Sequence, residues 1–209
     1  PLPLAPVLSG VSSGFDSVSL NWNTISGAAG YELYVYDSNT SSYVLLSDQM
    51  TTSYSDTALV SGVSRTYKVK AYVLVNEERI YSLDSLRASV TPVPSPVTGF
   101  KVLTPKYNEI SLSWNAVTGA SGYEITRSTT ATGTYSLLSN VEGDVSYLNT
   151  GLAFNTTYFY KIRPYTTVGA TKVYGTSSAY VTAKTTLETV LNPSASYTAY
   201  NTNKVQWGA

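Results

Sequence analysis

The 209-residue chain contains no cysteine and no histidine. Without cysteine there is no disulfide framework and no thiolate to act as nucleophile or metal ligand. Without histidine the chain lacks the commonest general base, the commonest metal ligand and the side chain that titrates near neutral pH. Charge is scarce too. Lys, Arg, Asp and Glu make up 12% of the residues and the formal net charge is zero, against a charged share of about 25% in an ordinary globular protein. The basic footprint of a nucleic-acid binder is therefore missing, as is any attraction to anionic membranes. No apolar run approaches the roughly 20 residues that a membrane-spanning helix needs. The chain opens on Pro1 rather than Met, which reads as a processed product or an excised piece.

What is present is polar without being charged: Ser, Thr, Asn and 19 tyrosines. A lysine-poor surface of this kind is expected of an extracellular, secreted or cell-surface, protein.

The second positive feature is internal repetition. Residues 18–33, VSLNWNTISGAAGYEL, recur at 110–125 as ISLSWNAVTGASGYEI. Trp22, Gly27, Gly30 and Tyr31 each return 92 positions later as Trp114, Gly119, Gly122 and Tyr123. Further along, Tyr67-Lys-Val-Lys-Ala-Tyr72 answers Tyr160-Lys-Ile-Arg-Pro-Tyr165 at an offset of 93, and Lys204-Val-Gln-Trp207 repeats the Trp114 context once more. A period this long is a whole domain rather than a solenoid unit of 20–50 residues. Pro92, Pro94 and Pro96 mark the first junction, because proline cannot donate to a strand ladder. The segment Leu187 to Pro193 marks a softer one. The division expected is residues 1–93, residues 94–187, and the opening of a third copy at 188–209.

Within each copy the residues alternate. Val18, Leu20 and Trp22 share one face of a strand, and Tyr31, Leu33 and Val35 share a face of the next. Leu45 and Leu46, Val69 and Ala71, and Leu86 to Val90 continue the series. Short alternating segments, Gly/Asn/Ser turns and no sustained helical stripe predict an all-β fold of tandem immunoglobulin-like β-sandwiches. Trp22, Trp114, Tyr31, Tyr123 and Tyr158 are its expected core aromatics.

Each full copy resembles a fibronectin type III domain of the kind found in bacterial surface and secreted proteins. The residues that carry the resemblance are the second-strand tryptophans, the SGAAGYELY and TGASGYEIT segments, and the TYKVKAY and YFYKIRPY strands. The resemblance implies a tyrosine six residues after a leucine, forming a corner that caps local backbone. Leu152 and Tyr158 obey this spacing, whereas Leu59 leads to Arg65 in copy one, so a looser or differently capped corner is expected there. The Arg-Gly-Asp tripeptide that some members use for integrin adhesion is absent.

No catalytic constellation stands out, and no enzyme is expected. Without His or Cys, hydrolysis would need paired carboxylates or a Ser–Lys arrangement, and none of the 13 acids sits in such a motif. Glu77 and Glu78 read as a solvated hairpin turn. Asn140, Glu142 and Asp144 alternate oxygen ligands but lack the glycine-centred loop and closing glutamate of a calcium site, so no metal and no cofactor is expected. The candidate binding face is aromatic. Tyr34, Tyr36, Lys68, Lys70 and Tyr72 should all point outward on adjacent strands, where they would stack on carbohydrate, anchor a protein, or simply pair across the sheet. In copy two Thr126 and Ser128 replace Tyr34 and Tyr36. Asn39-Thr-Ser and Asn155-Thr-Thr match the glycosylation pattern.

Residues 192–207 should supply about two strands, bearing Tyr197, Tyr200, Val205 and Trp207. These belong either to a sandwich cut short or to a strand that pairs with another subunit and builds a filament. Two functions are open: a non-catalytic structural or adhesive module whose partners are proteins, itself included, or an accessory, glycan-binding part of a secreted polysaccharide-degrading enzyme.

Overall fold

The computed structural model describes residues 2–186, together with the backbone of 194–199 and 202–206. All its regular elements are strands, as the alternation predicts. Copy one contains β1 (Leu8–Gly14), β2 (Ser17–Trp22), β3 (Gly30–Asp37), β4 (Ser42–Gln49), β5 (Ser53–Asp56), β6 (Arg65–Val75), β7 (Glu78–Tyr81) and β8 (Ala88–Val90). Copy two contains β9 (Lys101–Val102), β10 (Ile110–Ser113), β11 (Gly122–Ser128), β12 (Ser136–Val141), β13 (Ser146–Asn149), β14 (Thr157–Val168), β15 (Thr171–Tyr174) and β16 (Val181–Lys184). A hairpin of β17 (Ser194–Ala199) and β18 (Thr202–Gln206) comes last.

Each copy is a three-stranded sheet facing a five-stranded one. The order is β1-β2-β5 against β4-β3-β6-β7 with β8 also on β6, then β13-β10-β9 against β12-β11-β14-β15 with β16 also on β14. All pairings are antiparallel. The inward residues of both sheets meet in one core per copy. Val18, Leu20, Trp22, Tyr31, Leu33, Val35, Tyr67 and Val69 build the first. Ile110, Leu112, Trp114, Tyr123, Ile125, Tyr158, Tyr160 and Ile162 build the second. Period-2 alternation sends these side chains to one face, and burying a side chain of this size contributes about 1.5–3 kcal/mol. Trp22 meets Tyr31 edge to face at 5.9 Å, and Trp114 meets Tyr123 at 5.3 Å. Both tyrosine hydroxyls accept a backbone N–H six residues back, from Ile25 and Val117, at 2.8 Å.

Leu45 and Leu46 both lie on β4, and because Leu33 faces Ser47 while Tyr34 faces Leu45, Leu46 is a bulge residue. The bulge turns Leu46 onto the core and leaves Leu45 exposed. The last segment of copy one is a strand only over Ala88–Val90, and Leu86 is 88% exposed. Ahead of it, Ser82 and Ser85 take over the ladder. Their hydroxyls accept the N–H of Ala71 and Val69 at 3.0 Å, while their own N–H groups donate to the same residues' carbonyls. Ser178 serves Ile162 likewise in copy two.

The copies meet end to end. The β1–β2 turn of copy one lays the Phe15 ring where a Cβ on Gly119 would have to be, in the β10–β11 turn of copy two. A Cβ on Gly62 would fall 2.7 Å from a Val173 methyl. Between these contacts runs the connector. Ser12 Oγ accepts Val93 N–H at 2.9 Å, and Gly62 N–H donates to the Pro92 carbonyl at 2.9 Å. Pro92 and Pro94 are buried, so the prolines that interrupt pairing also pack.

Candidate functional site

The outward positions of β3, β6 and β7 form one face in copy one. The register puts Tyr34 opposite Lys68, Glu32 opposite Lys70 and Tyr72 opposite Tyr81. At its centre Glu32 is 6% exposed although it points away from the core. Its carboxylate accepts the hydroxyls of Tyr34 and Tyr81, the latter at 2.7 Å, and Arg79 Nη1 at 2.7 Å. Burial alone would raise its pKa, but the hydrogen bonds from Tyr34, Tyr81 and Arg79 outweigh burial and hold it below the ordinary glutamate value. Arg79 also binds Asp48 at 2.7 Å and lies 4.2 Å over the Tyr72 ring, whose hydroxyl donates to Asp48.

The five candidate residues therefore have different fates. Tyr72 is on the expected face but buried under Arg79 and against Tyr81. Lys68 and Lys70 share Asp84 at 2.9 and 3.5 Å. Lys68 also sits 4.5 Å over Tyr43 and 5.4 Å over Tyr34. Burial and the Glu32 carboxylate push the Tyr34 hydroxyl well above the usual phenol range. Tyr36, 42% exposed, is the most open of the three rings and meets Tyr43 edge to face. The tyrosines of this face are already engaged with one another and with its cations.

Copy two builds the same frame from other residues. Glu124 stands 92 positions after Glu32, and Tyr165 and Tyr174 stand 93 after Tyr72 and Tyr81. Arg163 binds Glu124 at 2.7 and 2.6 Å and lies 3.8 Å over Tyr174. Tyr165 donates to Glu142 at 2.7 Å. Burial first, then that carboxylate, pushes its pKa up to about 12. Because Thr126 is smaller than Tyr34, a shallow depression opens between Glu124, Tyr135, Leu137, Lys161 and Arg163.

The remaining sequence candidates are also placed. Trp22, Trp114, Tyr31, Tyr123 and Tyr158 are all buried, between 3% and 6% exposed. Tyr158 closes its corner by accepting Ala153 N–H at 3.1 Å. In copy one Arg65 occupies that spacing and pairs with Asp56 at 3.7 Å, while Asp56 accepts the Tyr67 hydroxyl at 2.7 Å. Asn76 and Glu77 form the β6–β7 turn, both with positive φ. Glu142 is engaged by Tyr165, and among the described residues no three acidic side chains converge on one point. Asn39 and Asn155 are exposed in loops. Tyr197 and Val205 fall on β17 and β18, whereas Tyr200 and Trp207 lie outside the described residues. No helix among the described residues is long and apolar enough to cross a membrane.

The buried carboxylate frame escaped sequence reasoning because Glu32 and Glu124 look like ordinary polar-face residues. The available signal was the return of Glu, Tyr and Tyr at the copy offset on a face that needs no core packing.

No family model matches the chain. It is 27% identical over 218 aligned positions to Exoglucanase B of Cellulomonas fimi, covering 96% of this chain and 19% of that protein. It is 31% identical over 125 positions to a Kelch domain-containing protein of Saccharolobus solfataricus, covering 58% of this chain and 16% of that protein. The chain thus spans less than a fifth of the length of either relative. Among solved structures, a two-domain fibronectin type III segment of chicken tenascin superposes with a TM-score of 0.50 at 15% identity, over 88% of this chain and all of that one. The chain has the fibronectin type III fold, in tandem.

Proposed function

We propose that the chain is a non-catalytic spacer of an extracellular protein: two sandwiches, residues 1–93 and 94–187, held end to end and continued by the opening of a third at 188–209, that set a fixed distance between what they join or present. The observation that supports this reading best is the joint. Phe15 on Gly119, Val173 against Gly62 and the pinned connector leave little freedom between the copies, whereas a flexible linker would be polar and unpaired. The outer faces agree with it, since most of their tyrosines and cations are spent on intramolecular pairs. Small-angle scattering is the test. A rigid spacer gives one elongated particle whose dimensions do not change with salt, and a broad distribution of inter-copy distances counts against it.

A second reading makes the chain an accessory part of a secreted polysaccharide-degrading enzyme. The alignment with Exoglucanase B favours it, because it runs through nearly the whole of this chain. The surfaces that would meet a sugar are the Tyr36–Tyr43 pair and the depression beside Thr126. Affinity electrophoresis in soluble cellulose and xylan derivatives decides. Retardation that Tyr36→Ala or Tyr135→Ala abolishes supports glycan binding, and free migration through both leaves the spacer reading alone.

A further inference from the structure

The joint between the copies leaves its other half open at the far pole of copy two. Phe15, which covers Gly119, corresponds to Tyr107 at the 92-residue offset. Ser61, beside the connector, corresponds to Phe154 at 93. Tyr107 and Phe154 stack at 5.4 Å and remain 53% and 47% exposed. Two aromatic rings packed on each other at the tip of a sandwich do nothing for its core.

The chain leaves both copies between corresponding segments, though on different hydrogen bonds. In copy one it passes between Ser12 and Gly62, bonding to both through Val93 and Pro92. In copy two it passes between Lys106 and Thr156: Thr186 N–H donates to the Lys106 carbonyl at 3.2 Å and Thr185 N–H to the Thr156 carbonyl at 3.1 Å. Thr185 stands 93 positions after Pro92. Up to Thr186 the chain thus runs past the loops of copy two that correspond to those Pro92 and Val93 pass in copy one.

The β17–β18 hairpin in that segment has the register of a sandwich's first strand pair. Ser9 faces Asn21 in β1–β2, Lys101 faces Ser113 in β9–β10, and Ser194 faces Gln206 in β17–β18, twelve residues apart each time. Gly10 with Leu20, Val102 with Leu112 and Ala195 with Val205 are ten apart. The hairpin thus pairs as β1–β2 and β9–β10 do.

We infer that Tyr107 and Phe154 form the docking surface for this third sandwich, and that a glycine-centred turn like those of Gly27 and Gly119 closes over Tyr107. The inference rests on reading 188–209 as the opening of a third copy. The turn at Gly27 illustrates the complementary half: φ is +78° and no atom lies within 4 Å of where a Cβ would sit, so a bare backbone surface is presented. A stacked aromatic pair offers it large apolar area with little rotamer entropy to lose.

The test completes the third copy from the chain's own parts. Residues 1–207 are continued by residues 115–186, so that Trp207 takes the place of Trp114 and the turn of Gly119 comes after it. Hydroxyl-radical footprinting, read by mass spectrometry, compares this chain with the 209-residue one. The expected result is that oxidation of Tyr107 and Phe154 slows toward the rate of Phe15, the ring covered at the first joint. A completed third sandwich that unfolds cooperatively while Tyr107 and Phe154 oxidise as before overturns the docking and leaves the third copy standing. If no third unfolding transition appears, the reading of 188–209 fails and the inference falls with it. Tyr107→Ser with Phe154→Ser in the completed chain should leave all three sandwiches folded and broaden the scattering-derived distance between the second and third. An unchanged distance also counts against the inference.

Discussion

Arg79 and Arg163 hold the same glutamate position from different strands. Arg79 comes from β7 to Glu32, and Arg163 comes from β14 to Glu124. At the 93-residue offset Lys70 stands where Arg163 does, and Lys172 where Arg79 does, so the two copies have exchanged Arg and Lys across the ladder. Only Arg offers a planar fork that can bind a carboxylate and cover a tyrosine ring at once. One Arg per frame suffices, on either strand, because the strands are adjacent.

This exchange predicts a rescue. Arg79→Lys should lower the urea midpoint of the first sandwich, and adding Lys70→Arg should recover most of the loss by recreating the arrangement of copy two. Failure of the second substitution to recover anything would show that the strand matters and the exchange does not. Removing the acceptor is costlier: Glu32→Ala should cost about 1.5–3 kcal/mol, the range for a buried hydrogen bond to a charged group. Because the folded Glu32 titrates below its ordinary value of 4.5, its contribution is complete above that pH and disappears as the pH falls through the folded value. The wild-type chain should therefore lose more stability on acidification than Glu32→Ala does, as followed by urea unfolding at stepped pH.

The β6–β7 turn gives a gain rather than a loss. Asn76 and Glu77 both sit at positive φ, 54° and 69°. This is the backbone of a two-residue hairpin that favours Asn-Gly. A side chain in the left-handed region costs roughly 1–2 kcal/mol, and glycine, free of that strain, gives part of the gain back through a freer unfolded chain. Glu77→Gly should raise stability by about 0.5–1 kcal/mol, measured as an increased urea midpoint at unchanged slope. Glu77→Ala, with the same φ requirement, should not.

Much of the fold is legible because the chain carries its own alignment. Trp22 and Trp114, with the tyrosines nine residues on, reveal the core and the strand order from two samples of one pattern. Several features are not legible. Ser82 and Ser85 look like loop residues, since nothing local says that their hydroxyls replace ladder partners of β6. Glu32 is buried by Arg79, 47 residues away, which crosses the face only once β6 and β7 have paired. Phe15 looks like a turn residue because the surface it covers belongs to the other copy. Each of these depends on a contact between segments far apart in sequence, where period-2 reasoning has no reach.

Alkaline pH should unfold the chain in a defined window. Tyr160 is fully buried, and burial raises its pKa to about 12 while Asn149 Nδ2 donates to its hydroxyl at 2.9 Å. A folded value above the unfolded value of 10.0 means that the neutral phenol stabilises the fold. That contribution is whole below the unfolded value and is lost as the pH rises to the folded one. The loss is on the order of 3 kcal/mol for this residue alone. Near-ultraviolet circular dichroism should therefore collapse together with a late step in tyrosinate absorbance. Titration of all 19 tyrosines in one early step, with the dichroism intact, contradicts the burial argument.

The joint between the copies can be isolated by a matched pair of substitutions. Gly27 and Gly119 occupy the same turn in the two copies, with φ of +78° and +74°. An added methyl therefore meets the same backbone strain at both, roughly 1–2 kcal/mol. The surroundings differ: a Cβ at position 27 meets nothing within 4 Å, whereas one at 119 runs into the Phe15 ring. Gly27→Ala should cost the strain alone. Gly119→Ala should cost the same strain in the second sandwich and, in addition, displace Phe15 and loosen the joint, so that scattering reports a wider range of inter-copy distances. Phe15→Ala should relieve the collision, leaving Gly119→Ala no more harmful than Gly27→Ala. Equal effects of the two glycine substitutions on both stability and shape would mean that Phe15 does not hold the copies together in solution.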